Sequence, residues 1–281
     1  MRHSSAYGFG SLQGLEDEQL RSLSPSIFAD RASSQTSGRY EFIPTSAVVA
    51  GFKTQGWLPV LAKETKVRNP DKKDFCKHMI RFRHRDDLDK TKGAVAVGDL
   101  VPEIVLVNSH DGSSSFQLHA GIFRFVCSNG MVVADSTIQN HRIRHTGQVV
   151  NDAIDAVFEI VEETPKVFNQ IENYRAITLE QNEQEIFAES ALMLRWPEED
   201  RPFIPAQILS SRRRDDQSPD LWTVFNRIQE NLLRGGMRGR RVNEYGRIQR
   251  TTSRAIKSVS EDLRLNKALW TFTEKFAALK S

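Results

Sequence analysis

Val101-Pro-Glu-Ile-Val-Leu-Val-Asn-Ser-His-Asp-Gly-Ser-Ser-Ser-Phe-Gln-Leu118 decides the fold, because two apolar runs flank a dense cluster of turn-forming residues. Asp111-Gly112 supplies the positive φ that a tight turn needs, and the neighbouring Asn and Ser side chains bond to local backbone. The first run, Pro102 to Val107, reads as a strand. The second, Phe116 to Cys127, reads as another that continues into Met131 to Ala134. Working outward, Trp57 to Arg68 and Lys77 to Arg85 are also extended in pattern, and Asn69-Pro-Asp-Lys-Lys-Asp between them is a turn signal. Asp86 to Asp99, charged and carrying Gly93 and Gly98, suits a longer connection. Hairpins are the simplest linkage of such strands, so the pattern predicts an antiparallel sheet.

Helical spacing brackets this block. Val48, Val49 and Phe52 share one face of a short helix over Ser46 to Gln55, with Gly56 at its stop. After Gly147, Val150, Ile154, Val157 and Val161 recur at helical intervals, as do Ile186, Leu192 and Met193, with Pro165 and Pro197 as punctuation. Ser218-Pro219-Asp220 opens a helix that carries Leu221, Phe225, Ile228 and Leu232 and stops at Gly235-Gly236. A last helix runs from about Ser253 to about Ala278. Strands first and helices afterwards give the α+β class, with an antiparallel sheet in the N-terminal half and a helical C-terminal half. The expected organisation is a flexible arm over 1–38, the sheet with one short helix over 39–147, and a helical region over 148–281 packed on that sheet as one composite domain.

The composition removes several function classes. With 281 residues, 39% apolar and 27% charged, the chain has material for a real core. Its longest apolar runs, such as Ile104 to Val107, are far shorter than the roughly 18 to 20 residues of a membrane span. The first residues lack the apolar stretch of a secretory signal, which predicts a cytoplasmic protein. Cys76 and Cys127 are too few for a disulfide framework or a four-cysteine zinc site. The net charge of +3 hides strong segregation: 13 basic against 7 acidic residues over 39–92, 3 against 13 over 151–200, and 8 against one over 234–257. Two basic blocks that flank an acidic one suggest a polyanion footprint or an acidic docking face.

Three segments carry the candidate chemistry. In Lys77-His-Met-Ile-Arg-Phe-Arg-His-Arg85, alternation points Lys77, Arg81, Arg83 and Arg85 one way and His78, Ile80, Phe82 and His84 the other. A solvent-facing cationic ladder is the expectation. The stretch Arg234-Gly-Gly-Met-Arg-Gly-Arg-Arg241, continuing through Arg247, Arg250 and Arg254, reads as a flexible cationic loop. Its arginines supply forked donors matched to phosphate oxygens. The turn from Asn108 to Ser115 sets His110 and Asp111 beside four serines, either a plain hairpin turn or the seed of a catalytic or metal site. His141 and His145 stand four apart but lack the intervening Glu of a zinc helix and flank Arg142 and Arg144. No metal or cofactor is expected.

The quoted stretch from Val101 to Leu118, followed by Phe123-Arg-Phe-Val-Cys-Ser-Asn-Gly-Met-Val132, resembles the central signature of the phage/plasmid-like proteins grouped as domain-of-unknown-function family 932. Asp220 to Gly236 and Leu265-Asn-Lys-Ala-Leu-Trp270 resemble the subgroup of enterobacterial prophages and conjugative plasmids, and the similarity runs from about Arg39 onward. In this sequence the motif residues are Asn108, Ser109, His110, Asp111, Gly112, Cys127 and Asn129. The resemblance implies a mobile-element setting near genes for DNA transfer, recombination and evasion of host defence. It brings no activity and no catalytic residues.

The function expected from these readings is non-enzymatic nucleic-acid binding, to single-stranded DNA during transfer, replication or annealing. The contacts would be Lys77, Arg81, Arg83, Arg85, Arg238, Arg240, Arg241, Arg247 and Arg250, and Trp57 and Phe82 are either stacking platforms or, the reading their apolar setting favours, buried core aromatics. A different reading makes the acidic helices, through Glu159, Glu162, Glu163, Glu183, Glu185 and Glu189, the docking face of an antagonist of a host defence or stress protein. A third is a metal-dependent hydrolase using His110 and Asp111.

Overall fold

The computed structural model describes residues 14–37, 40–90, 100–124, 129–133, 148–198, 201–242 and 244–280. The chain divides into two compact units, residues 1–164 and 165–281. In the first, α1 (Asp17–Leu23) and a 3-10 turn over Pro25–Phe28 precede α2 (Thr45–Thr54). Strands β1 (Trp57–Glu64) and β2 (His78–His84) follow, then the short α3 (Arg85–Lys90) and strands β3 (Leu100–Asn108), β4 (Gln117–Arg124) and β5 (Asn129–Val132). All four pairings are antiparallel and the order is β1-β2-β3-β4-β5, a meander in which sequence neighbours are spatial neighbours. The expected sheet and short helix are therefore present.

Of the span read as a flexible arm, residues 1–13 and 38 lie outside the described residues, and residues 14–37 are packed. Leu20 and Ile27 are fully buried, the Leu15 amide donates to the Pro59 carbonyl, and Glu64 accepts from the hydroxyls of Ser24 and Ser26. Two apolar anchors and a satisfied carboxylate are enough to order a polar-looking segment, and their wide spacing hid them from a periodicity reading.

One sheet face takes Ile80, Phe82, Ile104, Leu106 and Leu118, in register across β2, β3 and β4. Helix α2 covers it, with the Phe52 ring 5.1 Å from that of Phe82. Gly51 of α2 leaves room for Val150 and Ile154 at the start of α4 (Val149–Ala176). Pro165 does not end this helix as the sequence suggested. Thr164 Oγ1 donates to the Ile160 carbonyl at 3.0 Å, so side-chain bonding supplements the ladder just before the residue that cannot donate.

The second unit contains α5 (Gln181–Met193), α6 (Pro205–Ile208), α7 (Leu221–Arg234), strands β6 (Arg238–Val242) and β7 (Ile248–Thr252), and α8 (Val259–Lys280). Asp220 caps α7 by accepting from the Thr223 amide at 2.8 Å. The buried face of α7 presents Trp222 and Phe225 to Trp270 of α8, with ring centroids 6.5 and 6.1 Å apart. A buried amide pair, Gln229 to Asn266 at 2.7 Å, fixes the same contact. At the end of α7, Gly235 and Gly236 adopt φ of 70° and 84°, and a Cβ on Gly235 would collide with the backbone of Ser253 and Arg254. That requirement explains why two glycines stand there.

Candidate nucleic-acid interface

The arginines separate into those that meet a carboxylate and those that do not. Arg81 and Arg83 belong to the first class, so the solvent-facing ladder expected on β2 is corrected. Glu103 of β3 lies on the same face, and its two oxygens accept from Arg81 Nη1 at 2.7 Å and Arg83 Nε at 2.8 Å. Only 5%, 2% and 1% of Arg81, Arg83 and Glu103 is exposed. Arg81 also donates to the carbonyls of Gly130 and Met131, and the Arg83 guanidinium lies 3.4 Å over the Phe123 ring. Gly121 and Gly130 lack the Cβ atoms that would fill the space of Glu103 and Arg81. A charged strand next to one that carries a single in-register acid is thus an internal ion knot. Of the remaining ladder residues, Lys77 is half-buried just before β2 and Arg85 is exposed at the start of α3. Trp57 and Phe82 are core residues at 5% and 0% exposure, so neither serves as a stacking platform.

The motif residues after β3 form a turn with a buried polar underside. Ser114 N and the Asp111 carboxylate make the turn bonds: Ser114 N donates to Ser109 Oγ at 2.8 Å and Ser113 N to Asp111 Oδ1 at 3.0 Å, with Gly112 at φ 75°. The turn reading stands. Burial raises the Asp111 carboxyl, but hydrogen bonds from Ser113 and Ser109 and the charge of Lys72 outweigh it, so it sits below the usual carboxylate range. His110 is wholly buried, and its ring centroid lies 4.8 Å from that of Phe42 and 5.2 Å from that of His78.

Hydrogen-bond directions follow from the partners. The Cys76 carbonyl can only accept, so His78 Nδ1 carries the proton at 2.9 Å and His78 Nε2 accepts from the Thr45 hydroxyl at 2.9 Å. Thr45 Oγ1 then accepts from Asn108 Nδ2 at 3.0 Å and from His110 Nε2 at 3.3 Å. Burial pushes His78 down to about 3, helped by His110, and pushes His110 down to about 4. This neutral network ties the start of α2 to the start of β2 and the end of β3. Among the described residues no group of three or more His, Cys, Asp or Glu gathers as metal ligands would. Cys127, His141 and His145 lie outside the described residues, and Asn129 opens β5 opposite Arg124.

In the second unit, Arg213 and Arg234 close on the buried Glu230, at 2.6 and 2.7 Å, and Arg201 pairs with Glu189. Arg212 donates to Asn231 at 2.8 Å and to the Gly235 carbonyl. The expected Arg/Gly loop, in contrast, is a β-hairpin: β6 and β7 pair antiparallel with Arg238 opposite Thr252, Arg240 opposite Arg250, and Val242 opposite Ile248. The glycines serve docking. Arg240 N donates to the Pro202 carbonyl at 3.0 Å, Gln207 Nε2 donates to the Arg238 carbonyl at 2.6 Å, and a Cβ on Gly239 would strike Pro202 and Phe203.

Alternation puts Arg238, Arg240 and Arg250 on one hairpin face, all exposed, with no carboxylate partner among the described residues. Arg241, on the other face, and Arg247, in the turn, are exposed as well. Arg238, Arg240 and Arg250 line an open groove of about 830 Å³ together with Arg201, Gln207 and Ile204. A second groove of about 450 Å³, walled by Arg212, Asn231 and Gly236, adjoins it at Gln207 and Arg238. The sequence pointed to these arginines but not to the strand pairing that puts two of them directly opposite. Across the acidic block, Glu183 holds Lys280 at 2.8 Å and Glu185 accepts from Gln181 at 2.9 Å, so part of its charge is already engaged. No helix among the described residues is long and apolar enough to cross a membrane.

The family model described as "Domain of unknown function (DUF932)" matches residues 32–270. The chain is similar along 97% of its length to two proteins of Escherichia coli (strain K12), UPF0380 protein YfjQ at 37% identity and UPF0380 protein YafZ at 36%, with 97% of each relative covered. No solved structure matches.

Proposed function

The chain belongs to the DUF932 family, whose name carries no activity, and from that premise we propose a nucleic-acid-binding accessory protein of a mobile genetic element, acting in the cytoplasm on single-stranded DNA. One observation carries the reading: Arg240 and Arg250 face each other across the β6–β7 hairpin, with Arg238 two residues along the same face. Like charges directly opposite in a sheet are destabilising. Elsewhere in this protein clustered arginines are neutralised, by Glu103 in the first unit and Glu230 in the second. A local cost that no carboxylate among the described residues offsets belongs to the surface that meets a ligand. Along a strand, residues two apart are about 6.6 Å from each other, so Arg238 and Arg240 present forked donors at the scale of successive phosphates. The resemblance to proteins of prophages and conjugative plasmids supports the same reading.

The test is a titration of the full-length protein against a fluorescent single strand and a duplex of equal length at low salt, beside Arg238→Glu/Arg240→Glu/Arg250→Glu. The expected result is binding by the wild type, tighter on the single strand, and at least a tenfold loss in the variant at an unchanged melting temperature. Equal affinity of wild type and variant would reject the hairpin as the contact surface. With no binding at all by the folded wild type, the nucleic-acid reading falls and the acidic helices become the place to look.

A further inference from the structure

Beyond the paired arginines, the hairpin changes character. The register that opposes Arg240 to Arg250 next opposes Val242 to Ile248 on the same face. The turn beyond carries Tyr245 and Gly246, with Gly246 at φ 72° and open space around it. Val242, Ile248 and Tyr245 are 63%, 69% and 77% exposed, so an opposed apolar pair and an aromatic residue in the turn beyond it all show large side chains to water. From base to tip the face reads cation, paired cations, apolar pair, and the turn beyond carries the exposed aromatic Tyr245. A ligand that matches it is anionic along one edge and has flat apolar groups along the other.

We infer that the hairpin tip is a base-contacting platform, in which Tyr245 stacks on an unpaired base, flanked by Val242 and Ile248, while Arg238, Arg240 and Arg250 hold the adjoining phosphates. This rests on the reading of the hairpin as a nucleic-acid contact and specifies what it recognises: unstacked bases of a single strand. Duplex DNA keeps its base faces stacked away from a ring at the tip, whereas a single strand offers them, and aromatic stacking tolerates any sequence. Tyr245 takes the place of the buried Trp57 and Phe82 as the platform.

The experiment compares wild type, Tyr245→Ala and Tyr245→Phe on three probes: a mixed-sequence single strand, an abasic strand of the same length, and anionic phosphatidylserine vesicles. Tyr245→Ala should weaken binding to the base-bearing strand by about tenfold, the scale of one lost base–aromatic stack. Its salt dependence and its affinity for the abasic strand should stay as in wild type, and Tyr245→Phe should restore the affinity. If wild type binds the base-bearing strand and Tyr245→Ala binds it equally well, or loses affinity for the abasic strand in the same proportion, the platform is overturned while the arginine contact survives. Vesicle binding lost in Tyr245→Ala with strand binding intact would overturn it in favour of a lipid-facing tip. A wild type that binds neither strand removes platform and proposed function together.

Discussion

Glu103→Gln keeps the shape of the buried side chain and removes its charge, and that single change tests the ion knot of the sheet. In the native protein the two Glu103 oxygens meet Arg81 and Arg83 at 2.7 and 2.8 Å in a setting with almost no water. The substitution leaves two guanidinium groups beside a neutral amide that can accept from only one of them. Removing one partner of a buried ion pair costs about 3 to 5 kcal/mol. For a protein of this size each kcal/mol moves the melting temperature by about 2 to 4 °C, so the drop should be of order 10 °C. Urea denaturation followed by far-UV circular dichroism gives the free energy directly, with the slope checked for constancy. The matched control, Arg81→Met/Arg83→Met/Glu103→Leu, replaces the knot by apolar groups and should recover most of the loss, to within about 2 kcal/mol of wild type. A Glu103→Gln protein within about 1 kcal/mol of wild type would show that the knot is not dry, and a triple variant no more stable than Glu103→Gln would show that packing rather than charge holds this face.

The pH dependence follows from the buried imidazoles. His78 and His110 are held neutral with folded values near 3 and 4, below the unfolded value of about 6.5. Between those limits the unfolded chain binds more protons than the folded one, so stability is complete above about pH 6.5 and declines below it, by up to about 1.4 kcal/mol per group per pH unit. Urea midpoints at pH 7 and pH 5 should therefore differ, with the lower at pH 5; a midpoint that rises on acidification contradicts the assignment. His110→Ala should cost about 1 to 3 kcal/mol because it opens a void beside Phe42 and removes a donor to Thr45. Asp111→Ala, which removes only the bonds its carboxylate accepts within its own turn, should cost about 1 kcal/mol by the same assay.

The strands of the five-stranded sheet and helices α2, α4, α5, α7 and α8 were legible because their apolar periods are regular, and the Asp111-Gly112 turn because its chemistry is local. Three features were not. The fate of Arg81 and Arg83 depends on Glu103, 20 residues or more away, which becomes a neighbour only through the β2–β3 register. His110 looked like a turn residue because its partners, Thr45 and His78, come from other elements. The Arg/Gly segment was read as flexible because its glycines suggested freedom. In the fold, Gly235 serves a positive φ and Gly239 a close approach to Pro202, and both order the hairpin rather than loosen it. The candidate interface was thus visible as composition. Its geometry, two arginines opposed and an exposed Tyr245 beyond them, needed the strand pairing.

The salt dependence of single-strand binding tests the central claim most directly. Each phosphate neutralised releases condensed counterion, worth about 0.7 in the slope of log affinity against log salt on a single strand. Neutral replacement of the three aligned residues, Arg238→Gln/Arg240→Gln/Arg250→Gln, should flatten the slope by about 2. Arg81→Gln, a change inside the ion knot, should lower stability and leave the slope alone. A slope equal to wild type in the triple variant, or one that Arg81→Gln flattens instead, would contradict the assignment of the β6–β7 hairpin as the surface that holds the strand.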